Sequence, residues 1–155
     1  MHFQFSNGPK IKVFLHFEAF DLKKSSLFFS DHFECVMEGE AKEQQKNDLL
    51  IFLENYGKKH PSFIDLNLEA LTSFRKKTLG FLQKVSFGET VTYGELAVKI
   101  KHPKAARAVG MACHHNPYPL LIPCHRVIAS GKNLGGFAYD LKMKKLLLEF
   151  ENNSH

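Results

Sequence analysis

Residues 121–127, Leu121-Ile122-Pro123-Cys124-His125-Arg126-Val127, set a cysteine between a proline and a histidine with apolar residues on either side. Such a run reads as a tight bend against buried backbone, and a bend of that kind holds the thiol in place. A free cysteine titrates near ~8.5, so little of it is thiolate at neutral pH without a neighbouring cation or base. His125 is the candidate base. Neighbours on an extended strand point to opposite faces. His125 therefore reaches Cys124 only through a backbone turn, which Pro123 supplies, or through a bridging water. On the pair alone, a small buried cysteine beside a packed histidine is the preferred description, and the flanking sequence has to decide.

The 155-residue chain is 44% hydrophobic and 12% aromatic, which is enough for a packed core and argues against disorder. Its three cysteines, Cys35, Cys113 and Cys124, form no C-x-x-C spacing. Neither a disulfide framework nor a zinc site is expected, and the compartment is read as a reducing cytoplasm. The N-terminus lacks the pattern of a signal peptide, and no apolar run approaches the ~20 residues of a membrane span. Charge is divided unevenly. Residues 1–70 carry eight lysines and no arginine against eleven acidic residues, whereas residues 71–155 carry thirteen basic residues against five acidic ones. The second half would attract a polyanion such as nucleic acid, or simply present a solvated cationic face.

Residues 1–38 alternate aromatic and β-branched residues, as in Ile11–Phe17 and Phe33–Met37, and several strands are expected there. From Glu40 the spacing becomes helical, through Leu49, Leu50, Leu53 and Tyr56, until Gly57 stops it. His2, His16, His32 and His60 are scattered, and each is read as an ordinary packing or surface histidine. The stretch Gly57-Lys58-Lys59-His60-Pro61-Ser62 has the composition of a linker. It divides the chain into residues 1–64, α+β and structural, and residues 65–155. Leu68, Leu71, Phe74, Thr78, Phe81, Leu82 and Val85 then mark a helix, followed by a turn at Phe87-Gly88-Glu89. Thr92 and Glu95 have the form of a capping box, so a helix starts near Tyr93. Pro103 suits the first turn of the next, from Lys104 to about His115.

Two short helices about a three-residue turn outline a helix-turn-helix, or alternatively a close-packed helix pair. Ala105, Ala106 and Gly110 smooth the second helix, and Arg107 is the long side chain of its early turns. Few of these residues suit base edges, so shape and phosphate recognition is expected. Gly131, Gly135 and Gly136 let a loop carrying Phe137 fold over Cys124. A last helix runs from about Asp140 to Glu151, with Leu146, Leu147 and Phe150 on its apolar side.

Tyr93, the run Lys104-Ala-Ala-Arg-Ala-Val-Gly110, Asn116-Pro117, Ile122-Pro-Cys-His-Arg-Val-Ile128 and Glu151 together resemble the O6-alkylguanine-DNA alkyltransferases, from about Phe74 to Glu151 without a gap. The resemblance implies an α+β protein with a small N-terminal ribonuclease-H-like domain and a mainly helical C-terminal domain that carries the chemistry. It implies Cys124 as alkyl acceptor, His125 as base through a water, Glu151 orienting His125, Asn116 tethering the bend and Tyr93 as proton donor to the departing guanine. It implies DNA contacts at Thr92, Tyr93, Ala105, Ala106, Arg107, Gly110 and Ser130, with Arg107 filling the gap left by an extruded base. A base pocket of Tyr93, Met111, Cys124, Val127, Phe137 and Ala138 follows, with the Cys124 and Val127 carbonyls and the Ala138 amide reading the guanine edge. The partner implied is duplex DNA bearing alkylated guanine, met by a monomer without cofactor or metal, since the DNA itself is the alkyl donor. Phe137 stands where the family usually has tyrosine, Tyr139-Asp140 replaces a Gly-Gly pair, and Leu79 replaces a tryptophan. Three other classes compete. A non-catalytic alkyltransferase-like protein would lack Cys124, a helix-turn-helix regulator leaves the Cys-His-Glu set unexplained, and a Cys-His hydrolase needs an oxyanion hole that nothing in the sequence identifies.

Overall fold

Four strands open the chain: β1 (His2–Phe5), β2 (Ile11–Glu18), β3 (Asp21–Phe29) and β4 (Phe33–Glu38). The structure, a computed structural model, describes residues 1–58 and 64–153. Of the expected linker, Lys59, His60, Pro61 and Ser62 lie outside the described residues. Along β2 the residues Ile11, Val13, Leu15 and Phe17 are buried and their neighbours are not, the period-2 signature of a sheet with one face on a core. The sheet order is β1-β4-β2-β3, with β2 antiparallel to β3, β1 antiparallel to β4, and β2 parallel to β4. Helix α1 (Glu43–Glu54) buries Leu49 and Leu53, ends at Asn55, and the chain turns at Gly57, whose φ of +104° favours glycine.

The second half is helical: α2 (Ser73–Leu82), α3 (Tyr93–Lys99), α4 (Ala106–His114) and α5 (Leu141–Asn153). Helix α2 begins five residues later than the apolar spacing predicts, because Thr72 caps it by accepting from the Arg75 amide. Leu68 and Leu71 pack on the core from a turn instead. Helix α4 likewise does not open at Pro103. Residues 100–105 form a six-residue connection with Lys101 at φ +66°, and the Ala105 amide donates to the His102 carbonyl, so the three-residue turn expected there is not observed.

Segments β5 (Val91–Thr92) and β6 (Val127–Ile128) pair in parallel and tie the start of α3 to the end of the Pro-Cys-His-Arg run. Buried apolar side chains of both halves form one cluster, from Ile11 and Leu15 to Val109 and Leu147. The edge strand β3 is covered by residues 117–119. The Ser25 amide donates to the Pro117 carbonyl (2.9 Å), Ser25 Oγ to the Pro119 carbonyl (2.8 Å), and Tyr118 Oη to the carbonyls of Leu22 and Asn67. Among the described residues no helix is long and apolar enough to cross a membrane.

Candidate active site

Pro123 sits at φ −79°, ψ 64°, the centre of an inverse γ-turn in which the Cys124 amide donates to the Ile122 carbonyl at 2.8 Å. Residues Cys124–Arg126 then continue as a single 3-10 turn. The bend expected at Pro123 is present, and Asn116 holds it from the side. Asn116 Nδ2 donates to the Ile122 carbonyl (2.9 Å) while its Oδ1 accepts from the Tyr118 amide (2.9 Å).

Cys124 opens on a cavity of about 390 Å³ that is also lined by Tyr93, Ala106, Arg107, Gly110, Phe137 and Ala138. Cys113, His114 and Gly136 complete the wall, three residues that the sequence did not single out as site residues. Tyr93 is half-buried at the first position of α3, where the Thr92–Glu95 capping box forms as expected, and its hydroxyl donates to the Gly136 carbonyl (3.3 Å). The remaining expected residues do not line this cavity. Met111 is 53% exposed, the Thr92 hydroxyl is engaged by the Glu95 amide, and Ser130 starts a separate 3-10 turn. Val127 is buried, and its carbonyl accepts from Lys144 Nζ at 2.6 Å. Gly135 lies at φ +72°, and a Cβ there would stand 2.9 Å from the Tyr93 ring, so glycine lets the loop press against that ring. Burial raises the Tyr139 hydroxyl above its ordinary value, with Ser26 and the Leu27 backbone of β3 nearby drawing it back, and its ring tilts against Phe137 at 5.7 Å.

Behind the cysteine the ionisable groups are fully buried. His125 Nε2 lies 2.6 Å from Glu151 Oε1. Arg126 forks onto the same carboxylate, Nε to Oε2 and Nη2 to Oε1 at 2.9 Å each, while its Nη1 donates to the Val85 carbonyl. Burial alone would raise the Glu151 carboxyl, but His125 and Arg126 reverse this and hold it far below the usual carboxylate range. An ionised carboxylate only accepts, so Nε2 carries the ring proton and Nδ1 keeps its lone pair. That Nδ1 is buried and has no hydrogen-bond partner among the described residues. Burial holds His125 below its ordinary value against the pull of Glu151. Burial likewise raises the Cys124 thiol, with the Asn116 amide and the Lys144 ammonium drawing it back. The resting group is therefore the thiol, and a base has to take its proton during reaction.

Three groups of this cluster had no role assigned from sequence. Arg126 stood in the quoted motif without one. Lys144 is wholly buried and donates to the Val127 and Gly136 carbonyls, with its Nζ 5.9 Å from the Tyr93 and Phe137 ring centres. The signal for it was a lysine on the buried stripe of α5 with Leu147 and Glu151. Tyr56, read as one more apolar position after Leu49 and Leu53, donates its hydroxyl to Glu151 Oε1 at 2.5 Å. One residue of the first half is thus hydrogen-bonded to this cluster. Among the described residues no group of three or more His, Cys, Asp or Glu is placed to hold a metal.

A bent, buried Cys-His-Glu set beside a cationic helical surface defines a class that comparison with known proteins makes specific. The family model for the 6-O-methylguanine DNA methyltransferase DNA-binding domain matches residues 73–153, more than half of the chain, and the chain belongs to that family. A methylated-DNA-protein-cysteine methyltransferase of Methanocaldococcus vulcanius is 49% identical over 88 residues, covering 57% of this chain and 52% of the relative. A protein named as a probable enzyme of that kind in Acanthamoeba polyphaga mimivirus is 39% identical over 110 residues, 70% of this chain and 73% of its own. The chain is also similar to the crystal structure of Mycobacterium tuberculosis OGT in complex with DNA, with a TM-score of 0.63, 33% identity, and coverage of 77% of this chain and 71% of that one. The matched region spans about half the length of the archaeal relatives.

Proposed function

We propose that this protein repairs alkylated DNA by moving the alkyl group from guanine O6 onto Cys124, once per molecule. One observation carries the reading. Cys124 lies on the wall of a nucleobase-scale cavity, and the next residue, His125, is buried with the lone pair of its Nδ1 unused. A water between Nδ1 and the thiol relays the proton to His125, and Glu151 stabilises the imidazolium formed. Sulfur attacks the alkyl carbon in line, the S–C bond forms as the C–O6 bond breaks, and the electron pair withdraws into the purine. The guanine takes up a proton from the Tyr93 hydroxyl, which burial keeps protonated, and Tyr93 recovers it from His125. The net change is thiol to thioether and alkylguanine to guanine. A thioether does not hydrolyse, so the protein is consumed.

O6 is hidden inside a duplex, so the base must swing out, at a cost of a few kcal/mol that a poorly paired base reduces. Helices α3 and α4 act as a helix-turn-helix with a lengthened connection. Exposed Arg107 on the cavity rim fills the stack, while Thr92, Ala105, Ala106, Gly110 and Ser130 meet the backbone and Phe137 and Ala138 flank the extruded base. The Val127 carbonyl retains a second lone pair for the guanine edge while holding Lys144. Met111, on the exposed side of α4, takes part only at the duplex surface. O4-alkylthymine presents the same alkyl–oxygen bond and enters by the same route. Residues 1–64 form a ribonuclease-H-like support, a reading favoured by the antiparallel β2-β3 pair with β4 parallel to β2.

Mass spectrometry of the peptide containing Cys124, after exposure to duplex O6-methylguanine, tests the proposal. Wild type should gain one methyl at that residue and stop after one equivalent. Cys124→Ala should bind the duplex and leave the lesion intact. Removal of the methyl group by Cys124→Ala would overturn the assignment.

A further inference from the structure

Glu151 is shared by three donors, and one of them comes from outside the family-matched region. Tyr56 follows α1, and its ring is enclosed by four others. It meets Phe87 edge-on at 5.4 Å, stacks over Phe150 at 6.1 Å, and tilts against Phe33 (5.8 Å) and Phe52 (6.2 Å). Within this cage the hydroxyl donates to Glu151 Oε1 at 2.5 Å. The same oxygen accepts His125 Nε2–H and Arg126 Nη2–H, and the Tyr56 oxygen lies 3.5 Å from His125 Nε2.

We infer that Tyr56 is a positioning residue for the transfer step. By occupying Glu151 Oε1, it moderates the carboxylate's hold on His125 and keeps that imidazole neutral, with Nδ1 free to accept the thiol proton. The inference rests on the alkyl-transfer reading above. A carboxylate oxygen that gives electron density to three donors is a weaker acceptor for each of them. Without the hydroxyl, Oε1 binds Nε2–H more strongly and favours imidazolium, the form that cannot act as a base. The charged groups facing His125 are Glu151 and Lys144 from α5 and Arg126 from its own turn. Tyr56 is the neutral donor among them. Burial and the adjacent Glu151 raise its own ionisation well above the ordinary value, so it remains a donor throughout the working range.

The test is Tyr56→Phe, which keeps the ring and its packing. Single-turnover transfer from an O6-methylguanine duplex is followed against pH, together with duplex affinity and ring-nitrogen NMR titration of His125 in the unreacted protein. The acid limb of the rate profile and the His125 titration should both move up by about half a pH unit or more, a roughly threefold loss of rate on that limb. Duplex affinity should be unchanged. Limb and titration that coincide with wild type would overturn the inference, whatever happens to the melting temperature. Wild-type protein that transfers nothing would overturn the repair reading instead, and the NMR titration would still decide the role of Tyr56.

Discussion

Both Glu151 oxygens are engaged, Oε1 by Tyr56, His125 and Arg126 and Oε2 by Arg126, with 1% of the residue exposed. Replacing the carboxylate with an amide, Glu151→Gln, leaves the Arg126 guanidinium buried without its counter-charge. Breaking a buried pair of this kind costs about 3–5 kcal/mol, which chemical denaturation at neutral pH should register. The pH dependence follows from the direction of the shift. The folded carboxyl lies below its ordinary value of 4.5, so its stabilisation is complete above that pH and drains away as pH falls further. The stability gap between wild type and Glu151→Gln should therefore narrow below about pH 4.5. His125, held below its ordinary value of 6.5, adds a loss that begins earlier, because the unfolded chain takes up a proton that the folded one resists. Cys124 and His125 were legible as candidates in the short motif itself, and Asn116, Tyr93 and Glu151 were legible as candidates only through the family resemblance. Tyr56 and Lys144 were not, because a tyrosine on an apolar stripe and a lysine in a basic helix look ordinary until burial removes their water.

Local chemistry set some element boundaries and tertiary packing set others. The capping box at Thr92 involves groups three residues apart, so it could be read directly and it formed. Thr92→Ala should lower stability by about 1 kcal/mol in denaturant unfolding. It should also loosen Tyr93, the first residue of the helix that the cap begins. Helix α2 shows the opposite case. Leu68 and Leu71 satisfy a helical period, yet they pack on the core from a turn, and Thr72 starts the helix after them. Pro103 similarly invited an early start to α4, while Lys101 at positive φ shows that the backbone there is occupied in a turn.

For the whole molecule, the basic second half favours phosphate contact, and duplex binding should weaken by about tenfold or more between about 50 and 200 mM salt, measured by anisotropy. Binding that ignored salt would remove the electrostatic argument. The halves are joined by hydrogen bonds from β3 to residues 117–119 and by the Tyr56 contact to α5. Neither pairing leaves a periodic trace, since each joins residues more than 90 positions apart. The sequence by itself determined the strand-rich first half, the capped α3 and the bend at Pro123 that carries Cys124 and His125, because each depends on neighbours within a few residues. Only the tertiary structure decided that Glu151 would sit between His125, Arg126 and Tyr56, and that Lys144 would hold the Val127 and Gly136 carbonyls. Those contacts stabilise the molecule only once packing has excluded water from around them, and a one-dimensional pattern carries no record of which charges will be buried together.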